Sequence, residues 1–391
     1  MERTEKLLRY MNEHHDEFTA LLEEAVILES PTQGEKNDLA ACRDFFSNLF
    51  AQIGFACTVV PSEDVRYGDH LLMEYGTGEN QVLFVGHYDT VYPKGSFEPL
   101  WKIDGRKAFG PGVLDMKGGD IQVYMACKAC IDLGLLPQDS RIVFFLSSDE
   151  ETGSLSSQRH YEYHAKRSKA AFVMESAKGD YIGGAKIGRF GRGVYSFFAH
   201  GTQAHSGLEP SRAESGLREL AKQAVSLEDL TFYDKNNETL TVACTCLESG
   251  NAIWPTIPGD GKLTIDVRYS SEQLANTYDA FFKNLTSFNP KVRVETKGGI
   301  NKPPFDKENI GNKALYKRAI EVAARLGIEL KGEVVMGGSD GNFTSAVGCP
   351  TLDGLGMTGD FVHNPKEYIN LDCVPPRGAM VAELALRTLE G

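Results

Sequence analysis

Apolar segments of this chain end repeatedly in a histidine or a carboxylate, and this pattern constrains the fold more than any other feature. QVLFVG is followed by His87 and, two residues later, by Asp89, while AFVM is followed by Glu175. Functional side chains collect at the carboxyl ends of the strands in an open α/β sheet, so these residues are expected to converge. The full set is His87, Asp89, Asp115, Glu150, Glu151, Glu175 and His363.

This set of side chains indicates metal chemistry. Two imidazoles and several carboxylates provide enough ligands for two divalent metals and leave one carboxylate to act as a base. Glu150 and Glu151 are adjacent after an apolar run, and two carboxylates at a buried strand end repel each other unless cations compensate. The pattern therefore indicates metal-assisted hydrolysis.

Each motif taken alone has a simpler explanation. The His87 and Asp89 pair could belong to a loop turn, and Asp115, which precedes a glycine pair and a long helix, could be a helix N-cap. Glu150 and Glu151 could form a solvated acidic turn. The metal interpretation rests on their occurring together, each near a strand end.

Length and composition narrow the class of protein. A chain of 391 residues is too long for one ordinary core, so two domains are expected. The net charge of −13 disfavours binding to nucleic acids and anionic membranes, which it would repel. No apolar run approaches the roughly 20 residues of a membrane span. The N-terminal segment is charged and lacks the apolar core of a signal peptide, so a cytoplasmic location is expected.

The order of predicted elements indicates an interrupted α/β fold. Up to about Gly184, apolar strands alternate with helices, beginning with one amphipathic helix over Lys6–Ile27, which predicts a mixed, mostly parallel sheet flanked by helices. Residues 185–301 follow a βαββαβ order that predicts an inserted α+β sandwich. Residues 302–391 resume the alternation, including a strand over Thr351–Leu355, so residues 1–184 and 302–391 are expected to form one metal-binding domain.

Two further groups of residues have ambiguous patterns. His205 lies in GTQAHSG, in a glycine-bounded turn of the predicted insert, where a functional role and a role in the turn are equally compatible with the sequence. Cys127 and Cys130 form a CxxC pattern inside a predicted helix, with no second pair nearby, which favours buried thiols over a zinc or redox site.

The motifs taken in order resemble a known family. SPT, GHYDTVYP, GPGVLDMKGG, SSDEETGS, a single glutamate on the next strand, AHSG, DVR, GGSDGNF and HNPKEY span nearly the whole chain. This set resembles the M20 family of zinc metallopeptidases and is most similar to its glutamate carboxypeptidase (carboxypeptidase G2-like) group, with acetylornithine and succinyl-diaminopimelate deacylases as relatives.

The resemblance implies two zinc ions, for which cobalt or manganese could substitute. It implies a cis peptide between Asp115 and Met116. It also assigns roles within the set: His87 and Glu175 to one metal, Glu151 and His363 to the other, Asp115 to both as a bridge, Glu150 as the general base, and Asp89 as the group that orients the His87 imidazole.

The resemblance also implies roles for the insert, which would serve as a lid and dimerisation domain. His205 would stabilise the oxyanion from a partner subunit's lid, which makes a homodimer expected. Arg268 and Asn251, together with the backbone of Gly337 and Gly338, would bind the carboxylate of the substrate. The segment GGINKPPF has Lys302 where an arginine is expected in the glutamate carboxypeptidase group. Lysine acts as a point charge, whereas the guanidinium group of arginine presents a planar fork of N–H donors.

The expected reaction is hydrolysis of an amide bond that releases a C-terminal amino acid, with glutamate expected, from a peptide or an N-acyl amino acid. One alternative is an N-acyl-amino-acid deacylase, because the scissile bond is chemically the same. Another is a non-catalytic scaffold on the same fold, which would be expected to lack a ligand or the base. Small-molecule substrates, and neither nucleic acid nor membrane, are the expected partners.

Overall fold

The computed structural model describes residues 2–34, 36–250 and 254–391. It divides into two compact units. The first comprises Met1–Gly188, Lys307–Val335 and Ser339–Gly391, and the second comprises Arg189–Asp306 and Met336–Gly338. The role of residues 185–301 as a lid and dimerisation domain stays a prediction.

The helices are distributed over both units, and short 3-10 turns connect some of them. Within the described part of the chain, no helix combines the length and the hydrophobicity needed to cross a membrane. In chain order they are α1 (Arg3–Glu13), α2 (His15–Ile27), α3 (Lys36–Gln52), α4 (Gly118–Asp132), α5 (Gln158–Ala165), α6 (Gly216–Glu228), α7 (Glu272–Lys283), α8 (Ile310–Arg325), α9 (Gly341–Ala346) and α10 (Val374–Glu390).

The strands are mostly short. In chain order they are β1 (Ala56–Val60), β2 (His70–Tyr75), β3 (Asn80–His87), β4 (Lys102–Asp104), β5 (Lys107–Phe109), β6 (Ser140–Ser147), β7 (Ala170–Val173), β8 (Gly184–Arg189), β9 (Gly191–His200), β10 (Ala204–His205), β11 (Phe232–Lys235), β12 (Glu238–Ser249), β13 (Thr256–Ile257), β14 (Asp260–Tyr269), β15 (Arg293–Lys302), β16 (Lys331–Val335), β17 (Thr351–Leu352), β18 (Gly359–Asp360) and β19 (Tyr368–Asn370).

The first unit is built on a six-stranded sheet with the order β1-β2-β6-β3-β7-β17. Strands β6, β3, β7 and β17 are parallel to one another, whereas β1 and β2 join the edge in antiparallel pairing. Alternate residues of β3 enter two separate cores: Val82 and Phe84 pack in one, and Leu83 and Val85 pack in the other. A sheet buried on both faces explains why its strands are almost wholly apolar, and it confirms the predicted mixed, mostly parallel sheet.

The parallel strands bring the metal-ligand candidates to one edge. His87 is the last residue of β3 and pairs with Ser147, the last residue of β6. Glu150 begins a short 3-10 turn just after β6, and Glu175 lies two residues after β7. The edge at which these strands end is therefore lined with acidic and imidazole side chains.

The second unit contains a five-stranded antiparallel sheet with the order β11-β12-β14-β9-β15. Along β14 and β9, every second residue is buried, and these residues pack against α6 and α7 in a core that includes Tyr195, Phe197, Leu263 and Ile265. Helices α6 and α7 cover this face and leave the other face partly exposed, which explains why buried and exposed residues alternate. This arrangement agrees with the predicted α+β sandwich.

Two predicted elements were wrong in extent. The helix expected over Lys6–Ile27 is two helices, α1 and α2, because His14 leaves the helical conformation at φ −110° and ψ 19°. Its ring stacks on Tyr10 at 3.9 Å, and its Nδ1 lies 2.8 Å from the Tyr10 carbonyl oxygen. The strand expected over Thr351–Leu355 ends at Leu352, since the chain turns at Gly354, which has φ 70°.

Arg377 of α10 ties four backbone carbonyls of the first unit together. Its guanidinium is fully buried and donates to the carbonyl oxygens of Gly356, Ile182 (2.6 Å), Gly184 (3.0 Å) and Gly354 (2.5 Å). Burial lowers the pKa of Arg377 to about 10, which leaves the side chain charged at neutral pH. The planar fork satisfies acceptors that would otherwise be buried without partners.

Replacing Arg377 with methionine is expected to destabilise the protein by about 3–5 kcal/mol, because four buried carbonyl oxygens lose their donor. Urea denaturation followed by circular dichroism measures the effect as a fall in the transition midpoint. Arg106, whose side chain is 80% exposed, provides the matched control Arg106→Met, for which a change below about 0.5 kcal/mol is expected. Equal midpoints for the two variants would contradict this role for Arg377.

Candidate metal centre

Side chains from separate loops of the first unit converge at the sheet edge. The potential ligand atoms of His87, Glu150 and Glu175 lie within 4.8 Å of one another, and so do those of His87, Asp115 and Glu151. His87 is 1% exposed, and Asp115 and Glu175 are each 8% exposed. The convergence is buried on the side of β3 and opens toward His363, whose side chain is 51% exposed.

Asp115 lies between two histidines, with one carboxylate oxygen directed to each. Its Oδ1 is 3.2 Å from His87 Nε2, and its Oδ2 is 3.3 Å from His363 Nε2. Glu175 Oε1 lies 3.7 Å from His87 Nε2, and Glu151 Oε2 lies 3.2 Å from His363 Nε2. The arrangement therefore consists of two histidine–glutamate pairs that share one aspartate.

The shared aspartate sits on an unusual stretch of backbone. The peptide between Asp115 and Met116 is cis, as the resemblance implied. His363 has φ 60°, in the left-handed region that is uncommon for residues other than glycine.

The charges of these groups are strongly coupled. Burial by itself would raise the pKa of Asp115, but hydrogen bonds with His363 and His87 outweigh it and hold that pKa well below its usual range. Hydrogen bonds to Asp115 and Glu151 raise the pKa of His363 to about 11. Burial lowers the pKa of His87, yet its bonds to Asp115 and Asp89 prevail and raise it well above the ordinary value. Without metal, the imidazoles therefore carry protons that neutralise the carboxylates.

The surroundings of the Glu151 carboxylate indicate whether the site fits a divalent metal. Its Oε1 atom is buried and has no hydrogen-bond partner among residues 2–34, 36–250 and 254–391. Burial and then repulsion from Asp115 raise the pKa of Glu151 to about 8. A buried carboxylate with one unpartnered oxygen that is also destabilised as an anion has room for a cation, and imidazole and carboxylate ligands suit zinc, cobalt or manganese. The residues fit a two-metal centre.

Asp89 connects three of the loops that surround the centre. Its carboxylate accepts hydrogen bonds from the backbone N–H groups of Glu150 and Glu151, each at 3.3 Å, and from the hydroxyl of Thr32 at 2.8 Å. It also lies 3.4 Å from His87 Nδ1. The position of Asp89 beside the His87 ring was expected, but its hydrogen bonds to the backbone of the two glutamates were not, because about 60 residues separate them in the sequence.

Glu367 was not singled out from the sequence, although it lies in the HNPKEY motif. Its carboxylate is fully buried and accepts hydrogen bonds from the backbone N–H groups of Leu114 at 2.7 Å and Asp115 at 3.0 Å. The Tyr92 hydroxyl donates to it as well. Burial raises the pKa of Glu367 to about 7. The residue fixes the loop that carries the shared aspartate, and only its spacing of four from His363 could have suggested a role.

A cavity of about 550 Å³ lies beside Glu151. Its walls come from the loop after α2 and the loop after β3, and include Thr32, Thr90, Lys94 and Thr152. The cavity is large enough for part of a small molecule and lies within the first unit.

Several predicted site residues belong to the second unit. His205 is exposed, and its Nδ1 accepts the backbone N–H groups of Gly207 and Leu208, each at 3.1 Å. An imidazole that accepts at Nδ1 carries its proton at Nε2 when neutral, so His205 presents a donor to its surroundings.

The predicted substrate-binding residues have separate settings in the second unit. Arg268 lies on β14 and donates from Nε to Asp266 Oδ1 at 2.8 Å. The carbonyl groups of Gly337 and Gly338 accept from Arg189, each at 3.1 Å. Asn251 lies outside the described residues. The binding roles of these residues stay predictions.

Comparison with known proteins places the chain in a family. Residues 83–387 match Peptidase family M20/M25/M40. Carboxypeptidase G2 from Pseudomonas sp. (strain RS-16) is 28% identical over 93% of this chain and 88% of that protein. A succinyl-diaminopimelate desuccinylase from Cereibacter sphaeroides is 26% identical over 86% of this chain and 90% of that protein.

A solved structure supports the same fold. A dinuclear metal binding peptidase of the M20 family from Bacillus subtilis superposes with a TM-score of 0.71 at 14% identity, over 97% of this chain and 99% of that one. The family match covers well over half of the sequence and confirms the resemblance drawn from its motifs. The chain therefore belongs to peptidase family M20/M25/M40 and is a hydrolase.

Proposed function

We propose that this protein uses two divalent metals, zinc in the first instance, to hydrolyse an amide bond and release the C-terminal amino acid of a peptide or N-acyl amino acid. The observation that carries the proposal is the sharing of Asp115 between His87 and His363, one carboxylate oxygen to each. A carboxylate in this position can bridge two metals, each completed by one further glutamate. Two-metal centres of this kind suit hydrolysis of peptide bonds.

The proposed ligands follow the two pairs. His87 and Glu175 would hold one metal, Glu151 and His363 the other, and Asp115 would bridge them. When bound, the metals would polarise the scissile carbonyl and make water acidic enough to lose a proton near neutral pH. Glu150 would accept that proton and pass it to the leaving nitrogen. Asp89 would hold the His87 ring and the backbone of both glutamates in place.

Residues of the second unit would recognise the substrate. The Nε2–H group of His205 would donate to the oxyanion as negative charge develops there. Arg268 would bind the carboxylate of the substrate, assisted by Asn251 and by the backbone of Gly337 and Gly338. A guanidinium suits this task because its donors form a planar fork.

Assembly and location complete the proposal. His205 would act across a homodimer formed through the inserted segment, as the family resemblance suggests. A cytoplasmic location agrees with the presence of eight cysteines that are all free thiols.

The alternative within the same chemistry is an N-acyl-amino-acid deacylase. Similarity to the desuccinylase extends over 86% of this chain, which makes this alternative worth a direct test. The two functions differ in which part of the substrate is recognised, the acyl group or the released amino acid.

The first experiment measures release of free amino acids by the purified protein, loaded with zinc, cobalt or manganese, or treated with chelator. The panel contains matched peptides and N-acetyl or N-succinyl amino acids that end in Glu, Asp, Ala, Arg or Lys. Chelator-sensitive release that follows the C-terminal residue supports the carboxypeptidase function. Release that follows the acyl group assigns the protein to the deacylases, and a metal-loaded protein that cleaves nothing contradicts both.

Replacing Glu150 with glutamine is expected to lower kcat by about 10²–10⁴-fold, since the amide cannot accept the proton. Metal content, measured by elemental analysis, should stay at the wild-type level because the ligands remain. Glu79→Gln, at an exposed position just before β3, is the matched control and should retain full activity. A Glu150→Gln variant that turns over at the wild-type rate would exclude Glu150 as the base.

Replacing Asp89 with asparagine is expected to weaken metal binding by about 10–100-fold. The amide nitrogen of asparagine is a donor, so it cannot accept the hydrogen bonds that a carboxylate oxygen of Asp89 now accepts from backbone N–H groups. Competition with a chromophoric chelator measures the affinity directly, without any assay of activity. Asp104→Asn, in the exposed strand β4, is the control. Unchanged affinity in Asp89→Asn would show that the hydrogen bonds of Asp89 do not support the metal ligands.

A further inference from the structure

The face of the five-stranded sheet that lies opposite α6 and α7 carries an unusual arrangement of charges. Along β9 and β14, the residues that alternate with the buried core are partly exposed, and they include Arg192, Asp266 and Arg268. Their side chains are 37%, 19% and 28% exposed, respectively. Other charges on this face occur as oppositely charged neighbours, such as Arg293 and Lys297 beside Glu295, whereas here two arginines share one aspartate.

The strand register aligns three cations. Arg268 of β14 is paired directly with Arg192 of β9, and Arg192 is paired on its other side with Lys302 of β15. Adjacent strands lie about 4.8 Å apart. Like charges directly opposite each other on neighbouring strands are destabilising, so this rung of the sheet is not what stability alone would favour.

Asp266 organises the two arginines. Arg192 donates from Nε to Asp266 Oδ2 at 2.6 Å, and Arg268 donates from Nε to Asp266 Oδ1 at 2.8 Å. One carboxylate therefore holds two guanidinium groups in fixed orientations. Their remaining Nη donors have no protein partner in the described parts of the chain. The result is a pair of oriented forks with a net positive charge.

Lys302 differs from the two arginines in its accessibility. It is only 5% exposed and is engaged in contacts of its own. Although Lys302 occupies the position where an arginine was expected, the guanidinium groups that are accessible on this rung belong to Arg192 and Arg268. Recognition of an anion would therefore fall to Arg192 and Arg268.

We infer that Arg192 and Arg268 together bind a ligand with two carboxylates, so that Arg192 is a specificity residue for substrates that end in an acidic amino acid. Each fork matches one carboxylate in a bidentate arrangement. The spacing of neighbouring strands is comparable to the separation of two carboxylates joined by a three-carbon chain. This inference rests on the proposed function, in which the released amino acid supplies both carboxylates.

The kinetic test uses the metal-loaded protein and matched peptides that end in Glu or Ala. Arg192→Gln is expected to lower kcat/KM for the Glu peptide by about 10–100-fold, mainly through KM, because a charge-assisted pair is lost. The Ala peptide should change less than about threefold, since it has no second carboxylate. Arg192→Lys should fall between Arg192→Gln and wild type for the Glu peptide, because lysine restores the charge without the fork.

The matched control is Arg293→Gln, on β15 at the opposite end of the same sheet, where Arg293 pairs with Glu295 and is 64% exposed. It should leave both peptides unaffected. Equal losses on the Glu and Ala peptides in Arg192→Gln would overturn the inference, because they would assign Arg192 a purely structural role.

Calorimetric binding separates this inference from the proposed reaction. Glutarate, propionate and inorganic phosphate are titrated into metal-loaded and chelator-treated protein. Glutarate is expected to bind more tightly than propionate, and Arg192→Gln should remove the difference. If wild type cleaves no substrate but glutarate binding still depends on Arg192, the dicarboxylate site stands and the proposed reaction fails. Equal binding of glutarate and propionate, or preferential binding of phosphate, would overturn the dicarboxylate site.

Discussion

Repulsion among carboxylates at the edge of a buried sheet is the constraint that the rest of the first unit must satisfy. Asp115, Glu150, Glu151 and Glu175 gather around one imidazole in a largely buried region, where like charges interact strongly. Protons on the histidines neutralise part of this charge, as the raised pKa of His363 indicates. The same histidines must release these protons to bind metal, so proton release and metal uptake are coupled. Bound metals would take the place of these protons, so the charge of the carboxylates would be neutralised in either state.

Two additional carboxylates, those of Asp89 and Glu367, hold the loops that carry the candidate metal ligands. Asp89 accepts hydrogen bonds from the backbone N–H groups of Glu150 and Glu151, and Glu367 accepts one from the backbone N–H group of Asp115. Backbone N–H groups are donors that never lose their proton at physiological pH, so the donor side of these bonds does not change with pH. Asp89 and Glu367 thus fix the backbone of the loops that carry Glu150, Glu151 and Asp115.

The sequence predicted that these side chains would converge because part of the signal is local: His87 ends a strand and Glu175 lies two residues after the end of another. Parallel strands end at the same edge of a sheet, so these two residues were expected to meet. The role of Glu367 could not be predicted, because its partners Leu114 and Asp115 are more than 250 residues away in the chain. The helix break at His14 was hidden for another reason. The apolar pattern continues across it, since both α1 and α2 bury one face in the same core.

The candidate functional residues of the two units occupy different parts of the strands. In the first unit, the chemically reactive side chains follow strand ends, where loops can bend to let several groups approach one point. In the second, Arg192 and Arg268 lie within strands, and backbone hydrogen bonds fix their spacing. Positions within a strand can be exchanged on the open face without moving the backbone, whereas a ligand loop tolerates little displacement before coordination is lost. Under the inferred role of Arg192 and Arg268, single substitutions on this face of the sheet would change substrate preference while the residues of the candidate metal centre stay in place.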